Sequence, residues 1–124
     1  MRVKFDRVSF VKRILLTSVM AAALAACGPK EASQATNAAA NAALGEATFN
    51  QTCARCHQTG MSGAPEVDDK AAWRPLIAQG MATLYDHSLK GFTGKNGTMP
   101  AKGGAIHTDD EVKAAVDYMV SRAK

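Results

Sequence analysis

Apolar side chains recur every three or four residues in four segments between residue 42 and the end of the chain. That period predicts amphipathic helices, because side chains three and four residues apart share one helix face. We predict helices over residues 42–56, 69–79 and 81–90, and from residue 108 onward. Thr108 followed by Glu111 has the pattern of a capping box at the start of the last helix. No segment shows the alternation typical of a strand, so the predicted fold class is all-α.

Residues 1–27 have a different pattern, with a basic start followed by apolar or small side chains from Ile14 to Ala26. This run is too short to span a bilayer but has the size of a signal-peptide core. It ends in Leu24-Ala25-Ala26-Cys27-Gly28, which resembles the lipobox of bacterial lipoproteins. That resemblance implies that Cys27 receives a diacylglycerol and becomes the mature N-terminus. Ordinary signal cleavage nearby, with Cys27 left unmodified or discarded, is the alternative.

Residues 28–43 are rich in Ala and Asn and contain no large apolar side chain. A segment of this composition cannot bury a core, so we interpret it as a flexible tether. The alternative is that its alanine-rich end extends the first helix, with Asn41 as a cap. The folded domain is then residues 44–124. Domains this small bury proportionally little surface, which leaves the core short of apolar area.

The net charge of the chain is +4, but its distribution matters more than its sum. Residues 1–27 hold five of the 15 basic and one of the 11 acidic side chains, which leaves ten of each from residue 28 onward. The basic balance therefore belongs to the export signal. It gives no reason to expect nucleic-acid binding.

The pentapeptide Cys53-Ala54-Arg55-Cys56-His57 carries the strongest chemical signal in the chain. Cys-x-x-Cys-His is the attachment motif of a c-type haem. Thiols at positions i and i+3 share one helix face, where both can form thioethers with the porphyrin vinyl groups, and the adjacent His57 can bind the iron. The alternatives are a zinc site, which usually needs a second cysteine or histidine pair, and a redox dithiol, which needs a strand–helix context.

A second axial ligand is sought among the methionines and histidines that follow the signal: Met61, Met81, Met99, Met119, His87 and His107. Met81 and Met119 occupy apolar helical positions typical of a core, and Met61 lies too close to His57 to reach the opposite haem face. His87 is assigned to a helix surface and His107 to the loop before the last helix. Met99 lies in a glycine-rich loop that Pro100 stiffens, and is therefore the predicted ligand. A soft thioether favours ferrous iron and implies a fairly high reduction potential.

The order of its motifs makes residues 45–122 resemble class I cytochromes c, most closely the cytochrome c5 family of bacterial electron carriers. Besides the haem motif, the segments that carry the resemblance are Gly60-Met61-Ser62-Gly63-Ala64-Pro65, Ala71-Ala72-Trp73, Ile77-Ala78-Gln79-Gly80, Gly91-Phe92-Thr93-Gly94-Lys95, Met99-Pro100-Ala101-Lys102-Gly103-Gly104 and Ala114-Ala115-Val116-Asp117-Tyr118-Met119.

The resemblance implies a cytochrome c fold whose first and last helices cross closely, near three residues: Gly45, Phe49 and Tyr118. It implies that Met99 is the axial methionine and that Trp73 packs near the haem. It also implies that the Pro65 carbonyl accepts a hydrogen bond from His57 Nδ1–H and so orients the imidazole.

Together these features predict a monohaem c-type cytochrome that carries electrons by outer-sphere transfer and is not an enzyme. We expect one haem c, and redox proteins of a bacterial respiratory chain as donors and acceptors. A lipid on Cys27 would hold it on the periplasmic side of a membrane, and Gly28, which is not an acidic retention signal, favours the outer membrane. The alternatives are a haem enzyme or a gas or redox sensor with a displaceable sixth ligand, and a haem subunit of a larger oxidase or reductase complex.

Overall fold

A computed structural model describes residues 29–124 of the chain, and the side chains of residues 34–124. The predicted signal peptide, the lipobox and Cys27 lie outside the described residues. The α-helices, in chain order, are α1 Pro29–Thr48, α2 Ala54–His57, α3 Lys70–Ile77, α4 Met81–Lys90 and α5 Asp109–Arg122. A π-helical turn, Phe49–Cys53, separates α1 from α2, and two 3₁₀ turns cover Met61–Gly63 and Ala101–Gly104. The predicted all-α class is confirmed.

Local sequence signals fix the ends of the later helices. Helix α4 has the predicted bounds. The carboxylate of Asp69 caps α3 by accepting a hydrogen bond from the Ala71 amide at 3.0 Å. At α5 the predicted capping box is present, because the Thr108 amide donates to Glu111 Oε2 at 2.7 Å and the Glu111 amide donates back to Thr108 Oγ1 at 3.3 Å.

Helix α1 begins much earlier than the sequence pattern predicted. The structure is helical over residues 29–43, where the composition predicted a flexible coil, so the expected conformation of that segment is corrected. The physical reason is propensity: alanine is the strongest helix former, and no Gly or Pro occurs between Pro29 and Gly45. Every residue from Gln34 to Leu44 is exposed, so burial does not drive this helix. The role of the segment as a tether stays a prediction.

A short hairpin was not predicted at all. Strands β1, Phe92–Gly94, and β2, Gly97–Met99, pair antiparallel with Phe92 opposite Met99. Three-residue strands are too short to show alternation in a sequence, although Asn96-Gly97 is a known hairpin-turn signal. The hairpin places Met99 at the end of β2, where the chain turns into the second 3₁₀ turn.

From Asn37 to Lys124 the chain forms one compact unit in which α1 crosses α5 at Gly45. A Cβ atom built on Gly45 would lie 2.2 Å from the Ala114 carbonyl oxygen, so only glycine permits this approach. The Phe49 and Tyr118 rings are 5.2 Å apart at the same crossing, which confirms the implied arrangement. The buried core cluster comprises Phe49, Val67, Trp73, Leu84, Ala115, Val116, Met119, Val120 and Ala123. Within residues 29–124, no helix combines the length and apolar character that a membrane span requires.

Candidate haem site

The two cysteines of the motif lie where the helix changes its winding. Cys53 ends the π-helical turn and Cys56 lies in α2. π-helical turns are rare in proteins, and those that occur are often found at functional sites. Both thiols are unpaired and half-buried. Burial raises the pKa of the Cys53 thiol, a backbone hydrogen bond opposes this, and neighbouring Cys56 raises the pKa further. The two side chains are therefore free thiols, the form from which thioethers are made.

His57 is buried, with 8% of its surface exposed, and its ring orientation is fixed by one contact. Nδ1 donates a hydrogen bond to the Pro65 carbonyl oxygen at 2.9 Å. Because a carbonyl can only accept, Nδ1 must carry the hydrogen, so Nε2 keeps its lone pair when the ring is neutral. Burial lowers the pKa of His57 and so favours the neutral imidazole. The hydrogen bond to Pro65 raises the pKa, but its effect is the smaller of the two. A neutral ring with a free Nε2 is the form that binds a metal.

The segment that holds the imidazole is itself held by Trp73. The Val67 amide donates to the His57 carbonyl oxygen at 2.7 Å, and Trp73 Nε1 donates to the Glu66 carbonyl oxygen at 2.8 Å. The Trp73 ring is 4% exposed, and its centroid lies 6.1 Å from that of His57. Both the ring and the backbone of His57 are therefore fixed by residues 65–67, which Trp73 anchors to α3.

Met99 is half-buried and shares a cavity with Cys53, although the two residues are distant in sequence. Apolar side chains of α5, namely Val112, Val116 and Met119, line the same cavity. Cys56 and His57 are not among the lining residues of this cavity. By chemistry, two thiols for thioether attachment, with an imidazole nitrogen and a thioether sulfur that can bind iron, are the groups that a haem c requires. The residues present therefore fit a haem c.

The other candidate ligands are engaged elsewhere. Met119 is 3% exposed in the core and Met81 packs against that core, as predicted from their helical positions. Met61 is 50% exposed. His87 stacks on Phe92, with ring centroids 4.2 Å apart. Of the six residues considered, three line the cavity, namely Met99, His107 and the core residue Met119.

His107 has a contact that sequence reasoning missed. The side chain, assigned to the loop before the last helix, is only 11% exposed and lines the cavity beside Met99. Its Nε2 shares a hydrogen bond with Thr52 Oγ1 at 2.8 Å, across 55 positions in the chain. No local pattern could indicate this pair, because it depends on how the segment before α5 packs on the π-helical turn.

Comparison with known proteins agrees with this site. A family model described as cytochrome c oxidase, cbb3-type, subunit III, matches residues 40–119. The chain is 59% identical over 85 residues to cytochrome c-555 of Chlorobaculum tepidum, covering 68% of this chain and 79% of that protein. It is 38% identical over 78 residues to cytochrome c5 of Azotobacter vinelandii, covering 60% of this chain and 89% of that protein.

A solved structure is also similar, the crystal structure of an electron transfer complex of nitrite reductase with cytochrome c. The matching chain has a TM-score of 0.59 and 38% sequence identity, and the match covers 65% of this chain and 95% of that chain. The fold and the site thus define a small c-type cytochrome with one covalent haem, attached through Cys53 and Cys56. The chain belongs to the cytochrome c family, close to cytochromes c-555 and c5, and is an electron-transfer protein rather than an enzyme.

Proposed function

We propose that this cytochrome is a membrane-tethered periplasmic electron carrier in which His57 and Met99 bind the haem iron. When bound, the haem supplies a one-electron couple between ferrous and ferric iron. The observation that carries the proposal is the hydrogen bond from His57 Nδ1 to the Pro65 carbonyl oxygen, because it leaves Nε2 as the free donor of a buried, neutral imidazole.

The chain holds this imidazole for one purpose, to present Nε2 in a constant orientation. Pro65 fixes the ring, and Val67 fixes the backbone of the same residue. A hydrogen bond from Nδ1–H to a carbonyl also raises the basicity of the coordinating nitrogen. A ring held in this way would need little reorganisation when the iron changes oxidation state, which would favour rapid electron transfer.

Met99 would supply a soft sulfur ligand, which favours ferrous iron and raises the reduction potential. If His57 and Met99 both held the iron, no position on it would be open for oxygen or peroxide. Electron transfer is then outer-sphere, without a substrate bound to the metal.

The variant Met99→Ala tests the ligand assignment. We expect it to lose the near-infrared sulfur-to-iron band of the ferric protein and to have a lower reduction potential. Met61→Ala is the matched control, because Met61 is 50% exposed and should keep both properties. An unchanged ferric spectrum in Met99→Ala would reject Met99 as the ligand.

The lipobox sequence ending at Cys27 supports the tether. A triacylated lipoprotein cysteine would exceed the two signals needed for stable anchoring. Gly28 in place of an acidic retention residue favours the outer membrane. In a lipoprotein-processing host we expect the intact mass of the wild type, and not that of Cys27→Ser, to include acyl chains. A wild-type protein without acyl chains would contradict the tether.

We propose redox proteins of a bacterial respiratory chain as donors and acceptors. The complex of a related cytochrome c with nitrite reductase supports partners of this kind. A second candidate function is a haem subunit of a larger oxidase complex, which the description of the matching family model favours. Purification in mild detergent separates the two, since a free carrier elutes alone and a subunit elutes with its complex.

A further inference from the structure

Two hydrogen bonds connect the loop that carries Met99 with the turn that carries Cys53. His107 Nε2 and Thr52 Oγ1 share the first, at 2.8 Å. In the second, Lys102 Nζ donates to the His107 carbonyl oxygen at 2.9 Å. Thr52 directly precedes Cys53, and Lys102 belongs to residues 99–104, which we name the Met99 loop. His107 is the residue that both bonds share.

The Met99 loop has a backbone conformation that needs such support. Lys102 has a φ of 52°, in the left-handed region that residues with a side chain avoid. Its ammonium group is held by the His107 carbonyl and, at 2.7 Å, by Asp109 Oδ1 at the start of α5. The two contacts stabilise a turn that the backbone of Lys102 does not favour by itself.

The loop also packs directly on Thr52. A Cβ atom built on Gly103 would lie 2.8 Å from Thr52 Cγ2, so the loop could not approach as closely with a larger residue. Thr52 is buried, and His107 lines the same cavity as Cys53, Met99 and Gly103. Water competes poorly for hydrogen bonds at such a place, which makes the bond between Thr52 and His107 stronger than an exposed one.

We propose that His107 is a positioning residue for Met99: joined to Thr52 and Lys102, it holds the Met99 loop closed against the haem-bearing turn. The bonds set how often the Met99 thioether leaves the iron, and they act on the ligand without touching it. This inference rests on the proposed ligation by Met99. It assigns a role to a histidine that the ligand set itself does not use.

Imidazole binding to the ferric haem-loaded protein tests the proposal, because at saturating imidazole the observed rate equals the rate at which Met99 leaves. Thr52→Val removes the hydroxyl with little change in shape, and His107→Phe removes the ring nitrogens. His107→Gln is the conservative variant, since its amide can restore a bond to Thr52. Thr83→Val is the matched control, because Thr83 Oγ1 donates to the Gln79 carbonyl oxygen at 3.1 Å, away from the Met99 loop and Thr52.

We expect Thr52→Val and His107→Phe each to raise the limiting rate about tenfold, the effect of losing one good hydrogen bond. His107→Gln should recover most of the wild-type rate and Thr83→Val all of it. The Gly103 and Ala105 amides, which donate to the loop carbonyls of Pro100 and Lys102, should exchange their hydrogens faster in Thr52→Val and His107→Phe. This second readout does not depend on the iron.

Wild-type rates in both Thr52→Val and His107→Phe would overturn the proposal, even if their melting temperatures fell, since lower stability alone indicates a merely structural bond. Should His107→Phe fail to fold, Thr52→Val decides the result. A wild-type protein that lacks the sulfur-to-iron band and binds imidazole without a limiting rate would overturn the Met99 assignment together with this proposal. The two failures are thus distinguishable.

Discussion

For the variant Gly45→Ala, at the contact between α1 and α5, two physical effects predict opposite changes in stability. Helix propensity alone predicts that alanine stabilises a helical position relative to glycine by about 1 kcal/mol. The structure predicts the reverse. The new Cβ would lie 2.2 Å from the Ala114 carbonyl oxygen and 2.8 Å from its carbon, and both are backbone atoms that no rotamer change can move.

The size of the loss follows from these distances. Ordinary contact begins near 3.4 Å, so the crossing must open by about 1 Å. Overpacking that shifts the backbone costs about 3 kcal/mol, at the upper end of its usual range. Less the gain in propensity, we expect Gly45→Ala to lower the free energy of unfolding by about 2 kcal/mol. The tilted ring pair of Phe49 and Tyr118 lies at the same crossing and would be displaced with it.

Guanidinium unfolding of the haem-loaded protein, followed by circular dichroism, measures this difference. Ala47→Gly is the control, because Ala47 is an exposed residue of the same helix and should lose only the propensity term, about 1 kcal/mol. A Gly45→Ala protein as stable as the wild type, or more stable, would refute the close crossing.

Three further variants test the remaining parts of the account. Cys53→Ala combined with Cys56→Ala should leave the haem-free protein largely unfolded, and a cooperative thermal transition would argue against that. Trp73→Phe keeps an aromatic ring but removes the bond to the Glu66 carbonyl, and should cost about 1 kcal/mol in urea unfolding; no loss would mean that the anchor is unimportant. The hydrogen bond to Asp117 raises the pKa of Tyr85 from 10.0 to about 12, above its unfolded value. Its contribution to stability is therefore full below about pH 10 and is lost towards about pH 12. Tyr85→Phe should flatten the stability profile across that range, and a profile unchanged from the wild type would contradict this.

Local signals in the sequence were enough to predict most of the fold. Glycines bound α4, Thr108 and Glu111 start α5, and the haem motif identifies the cofactor without any tertiary information. Each of these features depends on residues within one or two helical turns of one another. The hydrogen bond from His57 Nδ1 to the Pro65 carbonyl was also expected, from the family resemblance, and the structure contains it.

The sequence analysis missed features in which two physical effects compete, in which a strand is very short, or in which the contacting residues are far apart in sequence. Residues 29–43 were expected to be a coil because they cannot bury a core, but the propensity of alanine decides their conformation. The hairpin strands are too short to show a period. The pair of His107 and Thr52 exists only after the loop before α5 has packed on the π-helical turn, so no local pattern contains it.

The central claim, that two thioethers hold one haem c on this chain, is tested most directly by intact mass combined with thiol alkylation. The protein should be matured in an export host that attaches haem. The account predicts a coloured protein whose mass includes one haem and whose Cys53 and Cys56 resist alkylation after denaturation. A colourless protein in which both thiols react would contradict it.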